Sequence, residues 1–211
     1  MLTLYHSPMT RSLRVFWVLE ELGLEYVLKS IEFIPPTDGK IFVQNTPIGR
    51  FPTLEDGEVT FCESGAIVEY LIERYGENRL APPLTSPLRA KYLQWMHFPE
   101  GTLNPYINAI RRFAESSPGI AAAMSDELDI AIGFVNAELA DSPYIVGKDF
   151  TGADIMLAVS LLSINMMGLL AENHTHITPY LRRLQSRPAL AKVMQSLATR
   201  AEYPEHPVAC R

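Results

Sequence analysis

The chain has little cysteine. Cys62 and Cys210 are its only two among 211 residues, and no CxxC occurs. Neither a disulfide framework nor a redox dithiol is available to it, and a reducing compartment fits that usage. Surplus positive charge is absent as well: 18 Lys and Arg stand against 24 Asp and Glu, a net −6. Residues 1–78 hold 6 basic and 12 acidic side chains, and residues 79–211 hold 12 of each. Neither part is the basic surface that nucleic acid requires, so no nucleic-acid partner is expected. No apolar run reaches the ~18 residues of a membrane span. The opening MLTLYHSP has neither the charged nor the apolar region of a secretory leader. No membrane partner and a cytoplasmic location are the expectations. Histidines are scattered at 6, 97, 174, 176 and 206. His174-x-His176 fits a solvated loop better than a metal pair, and no metal site is expected.

What is present is ordinary globular material, 47% apolar and 20% charged. Residues 2–5 (LTLY) read as a strand closed by Ser7-Pro8. Val15, Val18, Leu19 and Leu22 share one helical face, and Gly23 stands in the usual stop position. Tyr26 to Phe33 reads as a second strand. Asp56-Gly57, between two apolar runs, predicts a hairpin. Val68, Leu71, Ile72 and Tyr75 then mark a helix closed by Gly76. The order is β-α-β, an irregular stretch, then β-β-α.

The Pro- and turn-rich stretch at 77–88 marks a boundary. Residues 1–78 form a first domain, 79–88 a linker, and 89–211 a helical domain. Within that domain, Leu88 to Arg112 reads as one long helix kinked near Pro99 or Pro105. Met124, Leu128, Ile132, Val135 and Leu139 form a core stripe. Thr151 to Asp154 opens a helix with Ile155, Ala158, Val159 and Leu162 on one face. Thr178-Pro179 starts another, and Pro188 the last.

Three places carry candidate chemistry. In Phe51-Pro52 the proline cannot give a ladder hydrogen bond. It is either an edge-strand proline or a cis peptide that presents the preceding backbone to a ligand. Glu63-Ser64 stands where a strand passes into a helix. Ser64 is a natural N-cap. The same groups suit an α-amino-acid ligand, the helix start and hydroxyl taking its carboxylate and Glu63 its ammonium. In His6 to Ser12, the hydroxyls of Ser7, Thr10 and Ser12 are each a plausible cap and each a candidate donor to an anionic sulfur. Tyr5 reads as a core residue of the strand, and Cys62 as buried and inert.

Taken together, Thr10-Arg11-Ser12-Leu13-Arg14-Val15, Asn45 to Gly57 (NTPIGRFPTLEDG) and Phe61-Cys62-Glu63-Ser64-Gly65-Ala66-Ile67 resemble the glutathione transferase superfamily. The latter two stretches look like its NPxGxxPxLxDG and ESxAI signatures, with Thr46 as one extra residue. Phe150 to Asp154 resembles the capping box of its helical domain. The resemblance implies an α/β plus all-α protein, a thioredoxin-like domain followed by an all-helical one. It implies a transferase with glutathione as co-substrate, no permanently bound cofactor, and a homodimer. Conjugation to small hydrophobic electrophiles is the leading activity. Isomerase, dehalogenase or peroxidase chemistry, or a non-catalytic binding module, stays open.

The resemblance also implies roles. Pro52 would be cis, and Phe51 would pair through its backbone with the cysteinyl part. Glu63 and Ser64 would hold the γ-glutamyl end. Arg50 and Lys40 would face that site or the glycyl carboxylate. Counted from Arg14, the place that the family fills with Ser, Cys or Thr is Met9. Thr10 then leads, followed by Ser7 and Ser12, with Arg11 as a source of charge. Tyr5 stands where some branches use a strand tyrosine. Tyr92, Met96 and Tyr106, with Phe98 and Met166, are candidates to line the electrophile pocket, or simply core.

Overall fold

The computed structural model describes residues 1–31, 46 and 49–198. Its first elements are β1 (Leu2–His6), α1 (Ser12–Leu22), β2 (Tyr26–Ser30), β3 (Thr53–Asp56), β4 (Val59–Cys62) and α2 (Ser64–Tyr75). The four strands form one mixed sheet in the order β2-β1-β3-β4. β1 runs parallel to β2 and antiparallel to β3, and β3 runs antiparallel to β4. β1 is therefore an inner strand, and all five of its residues are buried. Its polar members need partners under those conditions. Tyr5 finds them on both sides: its hydroxyl donates to Glu55 at 2.8 Å and accepts from Lys29 at 2.9 Å.

α1 buries Val15, Val18, Leu19 and Leu22 as the periodicity requires, and Arg14, Phe16 and Trp17 as well. Its end is a Schellman motif. Gly23 sits at φ 66, its N–H meets Glu20 O, and the Leu24 N–H reaches Leu19 O at 3.1 Å. The hairpin differs by one residue from expectation. Asp56 belongs to β3 and pairs with Val59, so the two-residue loop is Gly57-Glu58. Gly57 at φ 63 takes the first central position, which is where a type II′ connection places glycine.

The helices that follow are α3 (Arg89–Phe98), α4 (Asn104–Phe113), α5 (Pro118–Glu138), α6 (Gly152–Met166), α7 (Ile177–Gln185) and α8 (Pro188–Ala198). The kink expected near Pro99 takes the form of a π-helical turn, Pro99–Leu103, between α3 and α4. Along α5, Leu128, Ile132 and Val135 are buried and Met124 is half-buried. α6 departs from the single-face expectation. Gly152 to Ala158, Ser160, Leu161 and Ile164 are all buried, whereas Val159 and Leu162 are only half-buried. A helix that is apolar around most of its first three turns buries more than one face.

The chain gathers into two compact units. One takes residues up to Ser64 together with the helix that begins at Pro188; the other runs from Gly65 to Arg187. In the first, α8 packs on α1, and Lys192 Nζ lies 2.6 Å from Glu20 Oε2. In the second, α6 starts tight against its neighbours. A Cβ on Gly152 would stand 2.4 Å from Ile72 Cδ1 and 3.3 Å from the Tyr92 hydroxyl. Asp154 secures that start. Its carboxylate, 0% exposed, accepts from the N–H groups of Ile145 and Thr151 and from the hydroxyls of Thr151 and Tyr180. Burial raises its pKa, and those four donors draw it back.

Candidate active site

Between β1 and α1 the chain makes a tight polar knot. Met9, exposed and at φ 60, turns the backbone so that the Ser7 carbonyl faces forward onto the helix start. The Thr10 hydroxyl lies 2.7 Å from that carbonyl and 2.6 Å from Ser12 Oγ, and it accepts the Ser12 N–H at 3.3 Å. Thr10 thus serves the first N–H of α1, where Arg11 is the N-cap residue, and is a member of the cluster. Ser12 Oγ also lies 2.7 Å from His6 Nδ1 and 3.1 Å from the Ser7 carbonyl, and accepts the Ser7 N–H at 3.2 Å. Ser7 and Ser12 are 0% exposed, and Thr10 is half-buried.

Two atoms of the knot have no hydrogen-bonding partner: Ser7 Oγ and His6 Nε2, both buried. Burial of His6 lowers its pKa to about 4, so its ring is neutral at physiological pH. Tyr5, the strand alternative, has its hydroxyl turned to Glu55 and Lys29.

A second group of candidates comes from the approach to β3. The Phe51-Pro52 peptide is cis, and both residues are buried. Arg50 is exposed, while Lys40 lies outside the described residues. Gly49 at φ 64 closes a turn whose N–H meets Thr46 O at 3.2 Å. After β4, which ends at a half-buried rather than buried Cys62, comes Glu63. Glu63 is exposed and held at φ 74, a region that a non-glycine residue occupies only under constraint. Ser64 is the first residue of α2 and 3% exposed.

Arg14 joins these two groups. Its guanidinium is wholly buried and donates from Nη1 to Ser64 Oγ at 3.0 Å. The starts of α1 and α2 are therefore neighbours. Because the Ser64 oxygen accepts from a cation, its own O–H is left to donate, and is polarised to do so. Sequence reasoning used Arg14 only as a ruler and gave His6 no role. The signal for Arg14 was available, since it stands four residues before Val18 and so on the apolar face of α1.

In the helical unit the candidates separate. Tyr92 and Met96 are 1% and 2% exposed, inside the core, whereas Tyr106 and Phe98 are half-buried and Met166 is 67% exposed. Burial, and then the Glu69 carboxylate, raise the Tyr92 pKa. His174 Nε2 lies 3.5 Å from Asp129, and His176 is exposed. Among the described residues no group of three or more His, Cys, Asp or Glu could hold a metal ion. No helix among them is long and apolar enough to cross a membrane.

A thioredoxin-like sheet, a cis proline and a Glu-Ser helix start define a glutathione-binding class of fold, and comparison with known proteins agrees. Residues 1–73 match the glutathione S-transferase N-terminal domain and residues 102–188 its C-terminal domain. Glutathione S-transferase GstB of Escherichia coli K12 is 31% identical over 206 residues, covering 92% of this chain and 98% of its own. A glutathione S-transferase crystal structure from Actinobacillus pleuropneumoniae superposes with TM-score 0.81 at 27% identity, over 93% of this chain and 92% of that one. The glutathione transferase URE2P6 from Phanerochaete chrysosporium, solved with oxidized glutathione, gives 0.80 at 26%, over 94% and 96%. The chain belongs to the glutathione S-transferase family, enzymes that take glutathione as co-substrate.

Proposed function

We propose that this enzyme joins the glutathione thiolate to small hydrophobic electrophiles, with Thr10 as the donor to sulfur. The observation that supports this best is the Arg14–Ser64 bond. It ties α1, whose start carries the half-buried Thr10 hydroxyl, to the hydroxyl that opens α2. In this reading Ser64 and Glu63 take the γ-glutamyl carboxylate and ammonium. The backbone of Phe51, before Pro52, pairs with the cysteinyl residue, and Arg50 with Lys40 faces the γ-glutamyl site or the glycyl carboxylate. Ser7 is the second candidate donor, because its buried oxygen has no partner. Ser12 stands behind both, enclosed by its neighbours. The second substrate would meet the helical segment at the half-buried Tyr106, while the buried Tyr92 and Met96, the other two candidates for that pocket, would support it from the core.

The energetics are modest. A thiol of pKa ~8.5 is only a few per cent ionised at neutral pH. Lowering it by about two units takes ~2.7 kcal/mol. One charge-assisted hydrogen bond, ~1.5–3 kcal/mol, with a helix start, ~0.3–1 kcal/mol, is sufficient. Thr10 need not act as a base. It must aim a proton at sulfur.

The functional division we propose is one of chain segments, 1–78 for glutathione and 89–211 for the electrophile, with 79–88 between. We further propose a homodimer and a cytoplasmic, detoxifying role. The non-catalytic alternative draws on Met9, which fills the hydroxyl place of the family. Retention on immobilised glutathione, with turnover of a chlorodinitro-aromatic compound, supports the enzyme; retention with no turnover favours a binding module. Thr10→Ala should raise the thiol pKa of bound glutathione by one to two units, which from a starting value of ~6.5 leaves about 3- to 25-fold less thiolate at neutral pH, and Ser7→Ala should do less. Wild-type pKa and turnover in both variants would remove the assignment.

A further inference from the structure

We propose that His6 is a positioning residue for this reaction, because its Nδ1–H fixes the direction of a chain of hydroxyls that ends on Thr10. The inference rests on the reading of Thr10 as the thiolate donor. It follows from counting protons and lone pairs. His6 is 1% exposed, its ring held edge-on by Phe16 with centroids 5.6 Å apart. Its Nε2 is buried with no partner. A proton there would be a buried donor with nothing to receive it, the costlier arrangement. The proton of the neutral ring therefore sits on Nδ1 and is donated to Ser12 Oγ, 2.7 Å away.

Ser12 Oγ has two lone pairs and one proton. One lone pair takes the Ser7 N–H at 3.2 Å, and the other takes His6. Ser12 can then accept nothing from Thr10, although their oxygens are 2.6 Å apart. It must donate, and Thr10 must accept. The Thr10 proton is left with one protein acceptor, the neutral Ser7 carbonyl at 2.7 Å. That carbonyl also has Ser12 Oγ within 3.1 Å. An arriving thiolate draws the Thr10 proton from a neutral oxygen to an anion. The two donors behind Thr10 polarise its O–H in the same direction. Without the His6 donor, Ser12 regains a lone pair facing Thr10, the chain can reverse, and the Thr10 proton turns inward, away from sulfur.

The test is the thiol pKa of glutathione bound to the full-length enzyme, read from thiolate ultraviolet absorbance against pH, with circular dichroism as the folding check. An Asn amide reaches the place of Nδ1, and a Gln amide the place of Nε2. His6→Asn should hold the bound thiol near its wild-type pKa. His6→Gln should raise it by up to about one unit, about threefold less thiolate at neutral pH, with KM for glutathione unmoved. Ser12→Ala should raise it too, and His6→Gln should add nothing on that background. Equal shifts in H6N and H6Q, or no shift in H6Q, would overturn the proposal. Should H6Q not fold, an unchanged thiol pKa in S12A overturns it instead. Thr10→Ala separates the two levels. If it leaves the pKa in place, the Thr10 reading fails. If it raises the pKa while the His6 variants do not, the relay alone fails.

Discussion

Two helices in this protein begin in buried polar clusters, and the clusters are finished differently. At α6, Asp154 meets four donors: two backbone N–H groups and two hydroxyls, at 2.8 to 3.1 Å. At α1 the cluster of His6, Ser7, Thr10 and Ser12 is as tight, yet it leaves Ser7 Oγ and His6 Nε2 without partners and Thr10 half-buried. A buried polar group with every bond made contributes stability and little else. One with unused capacity is a place where a ligand completes the network. The α6 cluster is a structural lock, and the α1 cluster, with hydrogen-bonding capacity left over, is the reactive centre in the function proposed above.

The sharpest way to break that comparison is Asp154→Ala. It orphans four buried donors at about 1 kcal/mol or more each, so unfolding free energy should fall by on the order of 4 kcal/mol. The molecules that remain folded should keep the wild-type thiol pKa of bound glutathione. A shift of that pKa would erase the distinction between lock and centre.

Next in size is a pH effect. His6 titrates at about 4 when folded, below its ordinary 6.5. A depressed pKa favours the neutral form in the fold. Its contribution, about 3 kcal/mol, is therefore complete above pH 6.5 and lost as pH falls through about 4. Denaturant unfolding at a series of pH values should show His6→Asn with a correspondingly shallower loss than wild type. Parallel curves would mean that His6 is not held neutral by burial.

Ser64→Ala comes third. It deprives the buried Arg14 guanidinium of an acceptor, which costs about 1–3 kcal/mol of stability. Because Ser64 also belongs to the proposed γ-glutamyl site, retention on immobilised glutathione should weaken by roughly tenfold, the equivalent of 1.4 kcal/mol. Lost stability with undiminished retention would reduce Ser64 to a support for Arg14. The smallest effect belongs to Tyr5→Phe. Its bonds to Glu55 and to the exposed Lys29 are worth about 0.5 kcal/mol, and the bound thiol pKa should stay put. A raised thiol pKa in that variant would restore Tyr5 as a candidate donor.

Much of this was legible in the chain. Gly23 and Pro188 stand where the elements they punctuate stop and start, because left-handed φ and a missing N–H are local properties. Val18 and Leu19 reveal the inner face of α1 for the same reason: the period of a helix is fixed by its own hydrogen bonds. The hairpin loop slid one residue past Asp56-Gly57, since Asp56 makes one more ladder pair than composition foretold. α6 was harder. A run apolar on nearly all sides satisfies any single-face pattern one chooses to see in it, and only the surrounding helices decide that Val159 and Leu162 are the less covered positions.

The sequence by itself determined the order of elements, the helix ends, and the residue types at the proposed site: hydroxyls at 7, 10 and 12, a Phe-Pro, a Glu-Ser. Each follows from interactions within a few residues. Tertiary structure alone decided which of these meet. Arg14 and Ser64 are fifty positions apart and bond because two helix starts fold side by side. His6 is neutral because the fold buries it. Partner choice over such distances depends on packing and on local dielectric, and neither has a period that can be read along a chain.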